Sequence, residues 1–175
     1  LLEEDWANGF AEIAKSSFVA PRRSFYEWLR DNAAGLMEHD VELLEEAVYM
    51  TAEFKASVVS KDSTESADVR ECLNYGHTLA HAIENAAGYG TIAHGRAVAE
   101  GMRFAARLSV EVLGCDMSVV KATDSLLDSL GLPALPWVAP PERLFKLMKG
   151  DKKARGGQVR FVLLEDIAKW KLMTV

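Results

Sequence analysis

The sequence predicts a mainly α-helical domain closed by a small C-terminal β-hairpin. Apolar residues recur at helical spacing through most of the chain, and glycines and prolines break it into segments. Only the tail reads as sheet: Gln158 to Leu164 and Ala168 to Val175 are apolar runs, and Glu165-Asp166-Ile167 between them suggests a hairpin. There is no internal repeat and no low-complexity segment.

The elements follow in order. Trp6 to Val19 places Trp6, Phe10, Ile13 and Ala14 on one helical face, and Pro21 ends it. Ser24 to Ala34 forms a second helix, with Gly35 placed as a left-handed C-cap. A long third helix runs from Val41 to Val59, its inner side marked by Leu43, Leu44, Ala47 and Val48. The polar stretch after it reads as a loop. A fourth helix is expected over Val69 to Ala87, a fifth over Gly95 to Leu113 and a sixth over Ser118 to Leu130. Four prolines, Pro133, Pro136, Pro140 and Pro141, then mark an extended connector, and Pro140-Pro141-Glu142 opens a short helix to Met148.

Composition narrows the function classes. The chain has 175 residues, 49% hydrophobic and 26% charged, which suits one globular domain or half of a two-domain enzyme. A net charge of −6 and a pI near 5.3 argue against nucleic acid as partner, since nothing offsets phosphate repulsion. The longest run free of Asp, Glu, Lys and Arg, Ser129 to Pro141, falls short of a membrane span and contains those prolines. The opening LLEEDW carries acids where a secretory signal has basic residues, and Cys72 and Cys115 read as two reduced thiols of a cytoplasmic protein, with one disulfide as the alternative.

Three of the four histidines, His77, His81 and His94, fall within eighteen residues. His77 and His81 share a helical face at i and i+4, and the Gly88-Tyr89-Gly90 turn can bring His94 back beside His77. Three neutral imidazoles at such a bend suit a divalent metal, with zinc keeping an open position; polar cap or core histidines are the alternative. A carboxylate ligand would be missing, and composition does not select it. A second constellation is basic. Lys15 follows Glu12 by three residues, Lys55 ends an apolar helical stretch, and Arg70 and Asn74 precede His77 by about two turns and one turn. Asp151-Lys152-Lys153 opens the segment before the hairpin. Converging cations would suit a phosphorylated or carboxylated substrate; singly, each reads as a solvated surface charge.

These residues carry a resemblance. The stretch from Arg70 through Leu73-Asn74-Tyr75-Gly76-His77-Thr78, His81 and Glu84 resembles the signature helix of 3-dehydroquinate synthases, and the likeness continues through Gly88-Tyr89-Gly90 to His94-Gly95, Gly101 and Met102. Gly9 to Lys15, Lys55 to Val59, Asp151-Lys152-Lys153 and Arg160 to Leu164 fit in the same order. The resemblance implies that Glu12, His77 and His94 hold a divalent ion, zinc or cobalt, and that His81 stands by the substrate instead of ligating. It further implies that Lys15, Lys55, Arg70, Asn74, His81 and Lys152 contact 3-deoxy-D-arabino-heptulosonate 7-phosphate. In that family NAD transiently oxidises one hydroxyl, phosphate is eliminated, the ketone is reduced again, and the ring opens and closes as an aldol. Members are about twice this length and form homodimers, so the chain is expected to be a single C-terminal metal- and substrate-binding domain, 1–175, whose partner is an N-terminal NAD-binding domain. No glycine-rich strand-turn-helix pattern for NAD occurs here.

Departures from the family pattern are Ala80 in place of glycine, Arg96 in place of glutamate, and one added residue between Glu65 and Arg70. The alternatives are another sugar phosphate cyclase (2-deoxy-scyllo-inosose or valiolone type) and a non-catalytic metal-binding module. An iron-dependent alcohol dehydrogenase relative would need an Asp and a His four residues later, which Glu12 to Ser16 does not supply.

Overall fold

Helix α1 (Glu3–Val19) and helix α5 (His94–Leu113) form the centre, and their small residues let them approach closely. In the computed structural model, which describes residues 2–62, 68–136, 138–151 and 159–174, the other elements pack around this pair. Helices α2 (Arg23–Met37) and α3 (Val41–Lys61) cover one side of α1. A 3-10 turn (Val69–Asn74) leads into α4 (His77–Ala87), which lies on α5 with α7 (Pro141–Asp151) against it. Helix α6 (Ser118–Ser129) packs on α5 from another side. Strands β1 (Arg160–Asp166) and β2 (Lys169–Thr174) pair antiparallel, with Phe161 opposite Met173 and Leu163 opposite Lys171.

The core is continuous. Phe10, Ala14 and Phe18 of α1 meet Val98, Met102 and Ala106 of α5 in one buried cluster that also takes in Leu29, Leu36, Leu126, Leu163 and Leu164. Strand β1 lies on α5 and buries Phe161, Val162, Leu163 and Leu164 in succession, whereas β2 stays half exposed. The hairpin is pinned near its turn. The Leu164 amide donates to Ser109 Oγ at 2.9 Å and the Ala168 amide to the Phe18 carbonyl at 2.9 Å.

Two expected elements differ. The helix expected over Val69 to Ala87 is broken: the 3-10 turn ends at Asn74, and α4 starts at His77 after Gly76, whose φ of +80° lies in the left-handed region. The break has a packing cause. A Cβ on Gly76 would lie 2.8 Å from the Val98 carbonyl oxygen, and one on Gly101 would lie 2.7 Å from the Gly76 carbonyl carbon. Helix α5 therefore crosses this turn backbone to backbone, and a continuous helix with side chains would hold it off. The second helix also runs through Gly35 to Met37, because Leu43 packs where a Cβ of Gly35 would stand; His39, at φ +60°, makes the left-handed exit instead. Gln158 and Val175, expected at the ends of the hairpin, lie outside the described residues.

Candidate metal and substrate site

The crossing of α1 and α5 sets the first half of the site. A Cβ on Gly95 would lie 2.6 Å from Asn8 Cα, so only glycine permits this contact, and the Gly95 amide donates to Asn8 Oδ1 at 2.6 Å. That side chain caps an otherwise orphan amide at the start of α5, a helix with no cap of its own. His94, the first residue of α5, is thereby fixed over α1. The turn at Gly76, gripped by α5, fixes His77 at the start of α4.

The outcome is a three-residue cluster. One ligand atom each from Glu12, His77 and His94 lie within 4.8 Å of one another, and no other group of three or more His, Cys, Asp or Glu is so placed among the described residues. His77 Nε2 stands 3.7 Å from Glu12 Oε1, and the His77 and His94 rings are 5.4 Å apart, centroid to centroid. The second nitrogens are engaged. His77 Nδ1 is 3.2 Å from the Tyr75 carbonyl, and His94 Nδ1 is 3.0 Å from Glu84 Oε1. A carbonyl and a carboxylate only accept, so the proton of each neutral ring belongs on Nδ1 and the Nε2 lone pair is left for a ligand. His81 lies edge-on to His77 at 5.7 Å, on the exposed side of α4, and is not in the cluster. The fourth histidine, His39, stacks on Trp6 at 4.0 Å.

Glu12 carries the charge of the site. Lys15 Nζ donates to Oε1 and Lys55 Nζ to Oε2, both at 2.7 Å. Burial alone would raise the Glu12 carboxyl, but the Lys15 charge and hydrogen bond, joined by Lys55, outweigh it and hold the group at about 2. Lys15 is itself 3% exposed, and that burial lowers its own ammonium from the usual value. Burial, then the Lys15 charge, push the His77 imidazole down to about 4. Near neutral pH the pair is thus an ionised carboxylate beside a neutral imidazole. This donor set of nitrogen, nitrogen and carboxylate oxygen fits zinc or cobalt with room for further ligands.

The other expected residues that are described line two clefts, one of which reaches His94. Arg70 and Asn74 line a cleft of about 470 Å³ with Asp62, Asp68, Glu71 and Arg160, and the 3-10 turn that bears them packs on α1 and α3. His81 lines an open cleft of about 1030 Å³ with Glu84, His94, Arg143 and Lys146. Lys152 and Glu65 lie outside the described residues. Arg96, the departure beside His94, pairs with Glu3 of α1 at 2.8 Å. Ala80 is fully buried in α4. Cys72 and Cys115 are both free thiols, and burial pushes Cys72 up to about 11. No helix among the described residues is long and apolar enough to cross a membrane.

Sequence reasoning assigned no role to Glu84, Asn8, Asp62 or Arg160. A signal existed for Glu84, which sits seven residues after His77 and so on the same face of α4. None existed for Asn8, whose capping of α5 depends on a long-range crossing.

Comparison with known proteins places this arrangement. The model of the 3-dehydroquinate synthase C-terminal family matches residues 9–154. The 3-dehydroquinate synthase of Rhodopirellula baltica is 42% identical over 168 residues, covering 95% of this chain and 44% of that protein. The one of Pelobacter propionicus is 43% identical over 162 residues, covering 93% and 45%. The chain thus spans less than half the length of these relatives. Among solved structures, a 2-epi-5-epi-valiolone synthase from Streptomyces hygroscopicus, with NAD+ and Zn2+ bound, superposes with a TM-score of 0.86 at 20% identity, over 99% of this chain and 48% of that one. A 2-deoxy-scyllo-inosose synthase complexed with carbaglucose-6-phosphate, NAD+ and Co2+ gives 0.83 at 25% identity, over 100% and 50%. With a family match over most of its length, the chain belongs to the 3-dehydroquinate synthase C-terminal family.

Proposed function

We propose that this chain is the metal- and substrate-binding part of a 3-dehydroquinate synthase, a carbon–oxygen lyase that converts 3-deoxy-D-arabino-heptulosonate 7-phosphate to 3-dehydroquinate and phosphate. The enzyme would serve aromatic amino acid biosynthesis by the shikimate pathway in the cytoplasm, as a homodimer when full length. The observation that carries the reading is the Glu12–His77–His94 cluster, with each imidazole held through Nδ1 and presenting Nε2. When bound, a zinc or cobalt ion there supplies Lewis acidity that makes a substrate hydroxyl easier to deprotonate. NAD, which the solved relatives bind, is assigned to an N-terminal domain of the full-length protein.

The chain's own residues would bind, orient and neutralise. Lys15 and Lys55 keep Glu12 ionised, and with a metal bound the site would carry positive charge for an anionic substrate. Arg70 supplies a planar fork suited to a carboxylate or phosphate, and Asn74 a carboxamide suited to hydroxyls. His81, on the exposed side of α4, and Lys152 would meet the phosphate end.

Zinc calorimetry on the 175-residue chain tests the metal assignment: His77→Ala should abolish tight binding and His81→Ala should keep it. The reverse pattern would restore a three-histidine site. Activity is tested in the full-length protein, where phosphate release from the heptulosonate phosphate should require both NAD and metal, whereas the 175-residue chain alone should turn over nothing. A second reading, a cyclase of the inosose or valiolone type, draws on the superposition with those two synthases. Cyclisation of a hexose phosphate or a heptulose phosphate lacking the carboxylate would decide for it.

A further inference from the structure

A 3-10 turn of six residues is a weak platform for two substrate-binding side chains, because its hydrogen bonds are poorly aligned. This one is held from outside. At its start the buried Asp62 carboxylate accepts from the Val69 and Arg70 amides at 3.1 and 3.4 Å. On its other side stands Arg160, the first residue of β1. Its guanidinium meets Asp68 Oδ1 at 2.8 Å through one terminal nitrogen and Glu71 Oε1 at 3.6 Å through the other. The second oxygen of Glu71 then accepts from Asn74 Nδ2 at 3.0 Å. The chain Arg160–Glu71–Asn74 ends on a residue that the functional reading places against substrate.

The base of this chain is rigid. Arg160 pairs with Thr174 in the hairpin, and its carbonyl accepts from Thr78 Oγ1 at 3.1 Å, one residue after His77. Arg160 thus ties the 3-10 turn to the start of α4. Both ends of its fork are spent on carboxylates, so its charge is not the one offered to an anion. Arg70 lines the same cleft.

We propose that Arg160 is a positioning residue: through Glu71 it fixes the Asn74 carboxamide, and with Asp68 it fixes the turn that carries Arg70, for a polyhydroxylated anionic substrate. The role rests on the functional reading above, but the positioning itself does not.

A double-mutant cycle on Arg160 and Asn74 in the full-length protein is the test. Arg160→Gln should raise KM about tenfold while kcat moves less than threefold and zinc content is unchanged, with Arg160→Lys recovering part of the loss. Added to Asn74→Ala, Arg160→Gln should cost clearly less than it does in the parent, because part of its effect passes through that side chain. Fully multiplicative losses overturn the proposal. So does loss of zinc in both Arg160 variants. An independent readout is the side-chain amide signal of Asn74 after isotope labelling of asparagine. It should move toward the values of a solvated carboxamide in Arg160→Gln, and an unmoved signal overturns the proposal whatever the protein turns over. A moved signal in a protein that releases no phosphate upholds the positioning and refutes the functional reading.

Discussion

Gly101→Ala tests whether backbone contact between α5 and the Gly76 turn builds the metal site. The added Cβ would collide with the Gly76 carbonyl oxygen and stand 2.7 Å from its carbonyl carbon, nearer than real Cβ atoms come, and 3.1 Å from Gly76 Cα, tighter than most. Both partners are backbone, so no side chain can swing aside, and the contact must open by an amount on the order of 1 Å at a cost of about 1–3 kcal/mol. For a domain of this size that lowers Tm by about 2–4 °C per kcal/mol. The displaced element carries His77 next in sequence, so its Nε2 leaves its place beside Glu12, and zinc affinity should fall at least tenfold, about 1.4 kcal/mol. Gly9→Ala is the matched control. It lies within α1 with nothing inside 4 Å of its Cβ, so it should stabilise by about 0.5–1 kcal/mol and leave zinc binding alone. The assays are thermal unfolding by circular dichroism and zinc calorimetry. Parent-like Tm and zinc affinity in Gly101→Ala would refute the claim that glycine contacts set this geometry.

Three further outcomes follow from the same geometry. Folding should weaken with acid. His77 takes up its proton near 6.5 when unfolded but only near 4 when folded, so between those values the unfolded chain binds more protons. Its contribution, about 3 kcal/mol, is complete above pH 6.5 and gone below 4, and Glu12 adds a loss in the same direction between 4.5 and 2. Urea unfolding from pH 7 to 4 measures this, and a flat profile that His77→Phe leaves unchanged contradicts it. Glu84→Gln should weaken zinc binding about tenfold by removing the charge behind His94 Nδ1, read by calorimetry. Arg96→Ala should cost under about 1 kcal/mol and leave zinc affinity unchanged, since Arg96 faces an exposed Glu3 and not the site.

Helical periodicity and the glycine and proline breaks made most of the fold legible, from the amphipathic face of α1 to the hairpin at 160–174. The break at Gly76 was hidden because Arg70, Asn74 and His77 keep helical spacing across it. What ends the helix is the approach of α5 from 25 residues away, which no local pattern encodes. The site was legible in a similar way. The spacing of His77 and His81 is a true helical neighbourhood, and their rings do meet edge to edge, but the rings alone do not select a ligand. Selection comes from where α1 delivers Glu12, and that is tertiary. Resemblance supplied it in advance of geometry, while Glu84 shares a helical face with His77 in the sequence but its contact with His94 appears only once α4 and α5 are packed.

The charge arrangement around Glu12 joins these observations to substrate choice. A largely buried carboxylate needs compensation, and Lys15 and Lys55 supply two ammonium groups, each at 2.7 Å. One would suffice to neutralise it. With Glu84 behind His94, the two ammoniums and two carboxylates balance before any metal arrives, within a chain whose total is −6. A divalent ion on Glu12, His77 and His94 would then leave a local excess of about +2. Such an excess in a half-buried site is costly unless a ligand brings negative charge of its own. A substrate with both a carboxylate and a phosphate satisfies that demand, whereas a neutral sugar would leave it open. Lys55→Met should therefore strengthen zinc binding to the chain by relieving repulsion, yet raise KM for an anionic substrate in the full-length protein. Calorimetry and steady-state kinetics give the two signs separately, and a variant that weakens both would show that Lys55 only holds Glu12 in place.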